Sequence, residues 1–318
     1  MDIHNRKALK LAAKQSLTRS SYRLIVIHKA VLLGAALLIT LVSFFLQAKI
    51  NTTGGLSGIG MRNVLSTAQS AISLAGAILL PFWKVGILYV AIRTVRGLQT
   101  NKDHLLSGFY CFGAFFRLML LRVALWFVLA FASLNASSVI FAATPFASKM
   151  EEAASPLLEQ IQASGAESVV IDRQMMETLL PTIIPMIVIF SIVYLMLSVY
   201  FQYRLRMADY CIFDANKTGA FSALLKSWKM TRANTLALFR LDLSFWWFFV
   251  LEGLILLVSY GAELLMLLGI SLPMAYETAQ IVFYCLSIPL SLLLYWCFGM
   301  YLQATYAKAY DALLPKEE

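Results

Sequence analysis

Six stretches of this chain run for about twenty residues or more with few charges, which removes most folds from consideration. The first, Leu24–Gln47, reads LIVIHKAVLLGAALLITLVSFFLQ. A bilayer's hydrocarbon core is about 30 Å thick, and ~20 apolar helical residues cross it. A helix suits that crossing because it satisfies its own backbone where no water can. The other stretches are Ala68–Ile92, Leu118–Phe141, Pro181–Phe201, Leu241–Leu264 and Ala279–Leu302. Composition agrees: 60% of the 318 residues are hydrophobic and only 14% are charged, against roughly 25% charged in a soluble domain. Mean hydropathy is +0.75. A soluble domain of this kind would expose apolar patches large enough to aggregate. The expected fold class is all-α, a polytopic membrane helical bundle with six transmembrane helices and cytoplasmic amphipathic helices. Residues 1–23 form a basic amphipathic helix, and residues 24–318 a single six-span membrane domain.

Charge orients the spans. A net charge of +9 would suggest nucleic acid in a soluble chain, but here the basic residues fall in blocks between spans. Before the first span stand Arg6, Lys7, Lys10, Lys14, Arg19 and Arg23. After the second come Arg93, Arg96, Lys102 and Arg117; after the fourth, Arg204, Arg206, Lys217, Lys226, Lys229, Arg232 and Arg240. No Lys or Arg occurs from Asp242 to Ala307, and the Thr144–Leu180 connection sets six acids against Lys149 and Arg173. The positive-inside rule puts both termini in the cytoplasm, and orientation replaces nucleic acid as the reason for the charge. Cys111, Cys211, Cys285 and Cys297 form no CxxC, and no disulfide framework is expected. The first 23 residues are too long and too basic for a typical cleaved signal, so the first span is read as an uncleaved anchor.

Each cytoplasmic segment before an odd-numbered span has helical apolar spacing. Lys7, Lys10 and Lys14 share one face of the first, and Leu9, Ala13 and Leu17 another. Leu105, Phe109, Phe112 and Phe116 recur in the second. In the third, at 217–234, Phe221, Leu224, Leu225 and Trp228 oppose Ser222, Lys226 and Lys229. A helix lying among lipid headgroups carries this pattern; so does one packed on the protein's own cytoplasmic face. The outer connection at 144–180 is expected to be helical, with Ser155-Pro156 starting one helix, Asp172 capping a second and Gly165 between them. Lid and loose spacer are both open as its role.

The tripeptides Tyr22-Arg23-Leu24, Phe116-Arg117-Leu118 and Phe239-Arg240-Leu241 stand where the odd spans begin, and Pro81, Pro185 and Pro289 lie 104 residues apart in the even spans. Three repeated two-span units would produce this spacing. So would the general enrichment of aromatics and Arg at interfaces and the tolerance of membrane helices for Pro. In the third tripeptide the charges gain a second meaning. Arg240 reaches headgroup phosphates, Asp242 caps free backbone N–H groups with help from Ser244, and the aromatics from Phe245 begin the hydrocarbon. Arg240, Asp242 and Ser244 are thus read as a hinge between a flat helix and a crossing one. Arg23, Arg117, Lys226, Lys229 and Arg232 are the expected headgroup contacts.

The stretch ALLKSWKMTRANTLALFRLDLSFWW, Ala223–Trp247, resembles a family of mostly Gram-positive bacterial integral membrane proteins catalogued as domain of unknown function 975. An alanine-and-lysine helix ending in Met230, a short polar turn at Arg232 to Asn234, and a leucine-rich run closing on Asp242-Leu243-Ser244-Phe245 carry the likeness. Weaker matches are Val95-Arg96-Gly97, the opening RKALKLAAKQSL, Pro273 to Tyr276 and Phe283-Tyr284; the stretch from Gly261 to Gly269 departs from the pattern. The resemblance implies a multi-span protein of a bacterial cytoplasmic membrane and transfers no catalytic residue.

The sequence holds no HExxH, P-loop or GxSxG. His4, His28 and His104 are far apart, so no metal or cofactor is expected. Asp209 and Asp214 are read as solvated loop acids rather than a cation site. Charges inside spans are costly and are usually paired or functional. Lys84 and Glu252 are expected at similar depth near the bilayer midplane, either paired or sharing a hydrated cavity, with Arg122 a further buried-cation candidate. The leading reading is a non-enzymatic membrane component that binds anionic lipid headgroups or a membrane protein partner. The alternative is a transporter or channel with a polar site at the midplane. A third, an intramembrane enzyme using Ser259, Tyr260 and Glu263, lacks a nearby His or metal partner.

Overall fold

The computed structural model describes residues 3–52, 59–152, 155, 173–214, 219–270 and 276–314. Every regular element among them is helical. The expected outer-loop helices at Ser155-Pro156 and Asp172 and the Pro273 motif lie largely outside the described residues, as does Lys217. Five helices are long and apolar enough to cross a membrane, at Arg19–Ile50, Gly60–Val95, Phe112–Ala142, Ile183–Asp214 and Thr278–Leu313. The sixth candidate is a broken pair, Thr235–Leu243 and Trp246–Ser259, bent by 64°. The chain forms two compact units, Met1–Phe116 with Met207–Glu318, and Arg117–Arg206.

The first unit is built on α2 (Arg19–Thr52) and α3 (Ile59–Val95). Their register is antiparallel. Ser21 Oγ lies 3.0 Å from Thr94 Oγ1, and a side chain at Gly76 would strike Ile39. Between these points the Trp83 indole N–H donates to the His28 carbonyl at 3.0 Å, and His28 Nε2 lies 2.9 Å from the Trp83 carbonyl. The two rings stack with 5.7 Å between centroids. Four polar groups that would be costly in hydrocarbon are thereby paired.

α3 ends at Gly97, whose φ of 73° favours glycine. Its N–H donates to the Thr94 carbonyl and that of Leu98 to Arg93, the Schellman arrangement that closes a helix. The chain then turns through a 3₁₀ segment, Lys102–Leu106, into α4 (Ser107–Tyr110). Both lie back on α3 so closely that a Cβ on Gly86 would collide with the Leu105 carbonyl, and one on Gly108 with that of Phe82. Leu105 and Phe82 are buried, and Phe112 stacks on Phe82 at 4.5 Å. The apolar residues expected along one continuous interfacial helix are therefore split by this turn, with Leu105 facing inward and Phe112 exposed.

The N-terminal helix α1 (Arg6–Ser16) starts where Asn5 Oδ1 accepts from the Ala8 N–H at 3.1 Å. Leu9 and Ala13 are fully buried, and α1 packs on the last helix. For this segment the packed arrangement holds, and the two termini share one end of the unit. α5 (Phe112–Ala142) and α6 (Arg173–Leu205) supply the second unit, where Trp126 meets Tyr194 at 6.3 Å. There Arg122 Nη2 donates to the Leu205 carbonyl at 3.2 Å. A cation at the last carbonyl of a helix is favoured by the helix dipole.

The chain returns to the first unit through α7 (Ala208–Asp214), α8 (Ala220–Thr231), α9 (Thr235–Leu243), α10 (Trp246–Ser259) and α11 (Gly261–Leu267). The last helix comprises α12 (Tyr276–Leu294), a π-helical turn at Tyr295–Gly299 and α13 (Met300–Leu313). α8 buries a stripe of mostly small residues, Ala220, Ala223, Leu224, Ser227 and Thr231. Ser227 Oγ accepts from the Met207 N–H at 3.2 Å. Phe221 and Leu225 face out, so Leu224 belongs to the inner face and not with them as expected. The reason is helical position: Leu224 lies four residues after Ala220 and three before Ser227, on the face that carries the small stripe.

Candidate functional site

The 64° break between α9 and α10 falls at Ser244 and Phe245, where the sequence places a hinge. The Phe245 N–H donates to the Asp242 carbonyl at 2.8 Å, and Ser244 Oγ to the Leu241 carbonyl at 2.5 Å. A break leaves carbonyls without their helical donors. Lys10 of α1 fills one such position, with Nζ 2.9 Å from the Ser244 carbonyl and 3.8 Å from the Phe245 ring centroid. The Tyr306 hydroxyl of α13 donates to Asp242 Oδ1 at 2.8 Å. The Asp242 carboxylate, expected from sequence as a backbone cap, thus also meets a distant tyrosine. Arg240 points outward and is exposed.

Beyond the break, three polar side chains meet. The Tyr295 hydroxyl donates to Glu252 Oε1 at 2.7 Å. Lys29 Nζ lies 3.9 Å from the same oxygen and 4.0 Å above the Tyr295 ring. Phe248 closes on the tyrosine edge to face at 5.7 Å. Tyr295 opens the π-turn, a departure from α geometry that is frequent at functional sites. The turn also needs Gly299, where a Cβ would come within 2.7 Å of the Tyr295 ring. Glu252 stands six residues past Trp246, about 9 Å along the new helix. Its expected midplane depth was counted from Leu241, before the helix restarts.

The expected Lys84–Glu252 pair is not formed, and Lys84 is exposed rather than buried. The cation beside Glu252 is Lys29, the residue after His28. A Lys six residues beyond Arg23, inside an otherwise apolar run, was the signal that would have found it. Lys84 follows Trp83 in α3, and the Trp83–His28 pair fixes that part of the helix against α2. Arg122, the other cation candidate, is half-buried and sits on the end of α6.

Arg96, one of the basic residues after the second span, forms a second site. Its Nη1 reaches Asp214 Oδ1 at 2.5 Å, and its Nη2 reaches Asp311 Oδ1 at 2.7 Å. Tyr310 donates to the other Asp214 oxygen at 3.0 Å. Burial works against the guanidinium charge, but the hydrogen bonds it donates to the two carboxylates outweigh it and hold Arg96 above its ordinary pKa. Asp214 is consequently an internal ion-pair partner and not a solvated loop acid. Glu263 accepts from Gln280 at 2.8 Å. Of the expected headgroup contacts, Arg23, Arg117, Lys229 and Arg232 are exposed and Lys226 is half-buried.

Apolar helices of spanning length, paired polar groups within them and an apolar exterior define a multi-pass, all-helical membrane protein. Over residues 1–316 the chain matches the family described as "Protein of unknown function (DUF975)", and it belongs to that family. No curated protein and no solved structure matches it.

Proposed function

We propose that this protein is a non-enzymatic component of a bacterial cytoplasmic membrane that binds anionic lipid at its basic end, with both termini in the cytoplasm. One observation carries the reading. α8 exposes Phe221 and Leu225 on the same helix that carries Lys226 and Lys229, while its small residues hold it to the protein. A helix seated by one face and offering apolar and basic residues on others suits the headgroup layer of an anionic leaflet. Exposed Arg23, Arg232 and Arg240 add to that charge.

Native mass spectrometry of the full-length protein in mild detergent tests this. Phosphatidylglycerol should be retained in preference to phosphatidylcholine, and Lys226→Gln with Lys229→Gln should reduce the total number of anionic lipids held. Equal retention of both lipids would refute the reading. Orientation is checked separately by a cysteine at Lys229, which an impermeant thiol reagent should leave unlabelled in intact cells. Cys211 is fully buried and unsuited to that test.

The Lys29–Glu252–Tyr295 group favours a second reading, a transporter or channel with a polar site. Flux of ions across proteoliposomes that vanishes in Glu252→Gln would move the assignment there.

A further inference from the structure

We propose that a groove between the start of α2, the 96–103 connection and Trp296 holds one anionic phospholipid, its phosphate between Arg23 and Lys102. This rests on the lipid-binding reading above and gives it a defined site. The groove has a volume of about 770 Å³, within the range of small-molecule pockets. Its lining is mixed. Arg23, Lys102 and Asp103 supply charge, and Leu24, Val26, Ile27 and Trp296 supply apolar surface. Neither Arg23 nor Lys102 forms an ion pair among the described residues. Two cations against one carboxylate leave the groove positive.

The apolar part of the lining selects the occupant. A free phosphate would use Arg23 and Lys102 and leave Trp296, with 53% of its surface exposed, uncovered. A diacyl lipid brings a phosphate and acyl chains together, and the lining offers a partner to each. Trp at the boundary of apolar and polar layers is the usual membrane-interface position. A second hollow of about 350 Å³ adjoins the first and shares Ser20, Thr100 and Asn101 with it. Its further lining includes Ser16, Thr18 and Gln99. Hydroxyl and amide groups there can exchange hydrogen bonds with a polyhydroxylated head. The ligand class is therefore an anionic phospholipid of the phosphatidylglycerol type.

The test uses the full-length protein in mild detergent, titrated with phosphatidylglycerol and read by native mass spectrometry. The wild type should hold one molecule more tightly than the rest. Arg23→Gln with Lys102→Gln should weaken that one roughly tenfold or more, from about 1 kcal/mol per surface cation. Lys226→Gln with Lys229→Gln should leave it in place. If the wild type shows no preference for the anionic lipid, the general reading fails together with the groove. If preference persists but the Arg23/Lys102 variant keeps the tight molecule, the groove alone is refuted. Displacement by soluble glycerol 3-phosphate at equal concentration would make it a small-anion site and overturn the lipid assignment. Brominated phosphatidylglycerol, applied to folded wild type, should quench a fluorescence component missing from Trp296→Phe; absence of that quenching also overturns it.

Discussion

The Tyr295 hydroxyl and the Glu252 carboxylate meet at 2.7 Å, and Lys29 lies over the ring of the same tyrosine. This joins the first long helix, the far side of the broken helix and the π-turn through one oxygen. Tyr295→Phe should therefore cost about 1.5–3 kcal/mol, the usual worth of a hydrogen bond to a charged group. A double-mutant cycle on thermal unfolding in detergent should show coupling between Tyr295 and Glu252, and between Lys29 and Glu252. Lys84 and Glu252 should show none, since they do not pair. Coupling confined to Lys84 would contradict the arrangement.

At the helix break, Lys10 supplies a donor to the Ser244 carbonyl and a cation to the Phe245 ring. Replacing it by Met keeps the alkyl stem and removes both interactions. The expected loss is about 1 kcal/mol. Hydrogen exchange should rise at the backbone around Ser244 and Phe245, with α2 and α3 unaffected. Unchanged exchange at the break would mean that α1 does not brace it.

Arg96 spans two carboxylates from different helices through separate nitrogens of one planar group. Lys has a single ammonium and cannot match that fork. Arg96→Lys should therefore be nearly as destabilising as Arg96→Gln, each by about 1–2 kcal/mol, because the pairs are only partly buried. A melting temperature for Arg96→Lys equal to that of wild type would count against the fork.

His104 Nδ1 accepts from the Asn101 N–H at 2.8 Å, which holds the turn after α3. Burial and then the charge of Arg93 keep its pKa below the ordinary 6.5. Below that pH the unfolded chain takes up a proton that the folded chain resists, so stability falls as pH drops through the window under 6.5. The decline should stop once the folded form is protonated too. His104→Gln should flatten this part of the profile. An unaltered pH profile in the variant would remove His104 as its cause.

The placement of five apolar helices and of a sixth, broken candidate was legible because the bilayer sets a length that any apolar run must meet. The break at Ser244 was legible too, as charge and hydroxyl next to a wall of aromatics. These are local features, written in consecutive residues. Partner choice was not. Glu252 could have taken Lys84 or Lys29, because each option satisfies the same need to pair a polar group away from water. Packing decided among them: the His28–Trp83 contacts that register α2 on α3, the small stripe on α8, and the π-turn that sets Tyr295 over Glu252. By itself, the sequence determined which runs are long and apolar enough to cross a membrane and where one of them breaks, at Ser244. Which charges meet, and where a groove opens beside Arg23, came only from the tertiary structure, since both depend on the rotation of one helix against another.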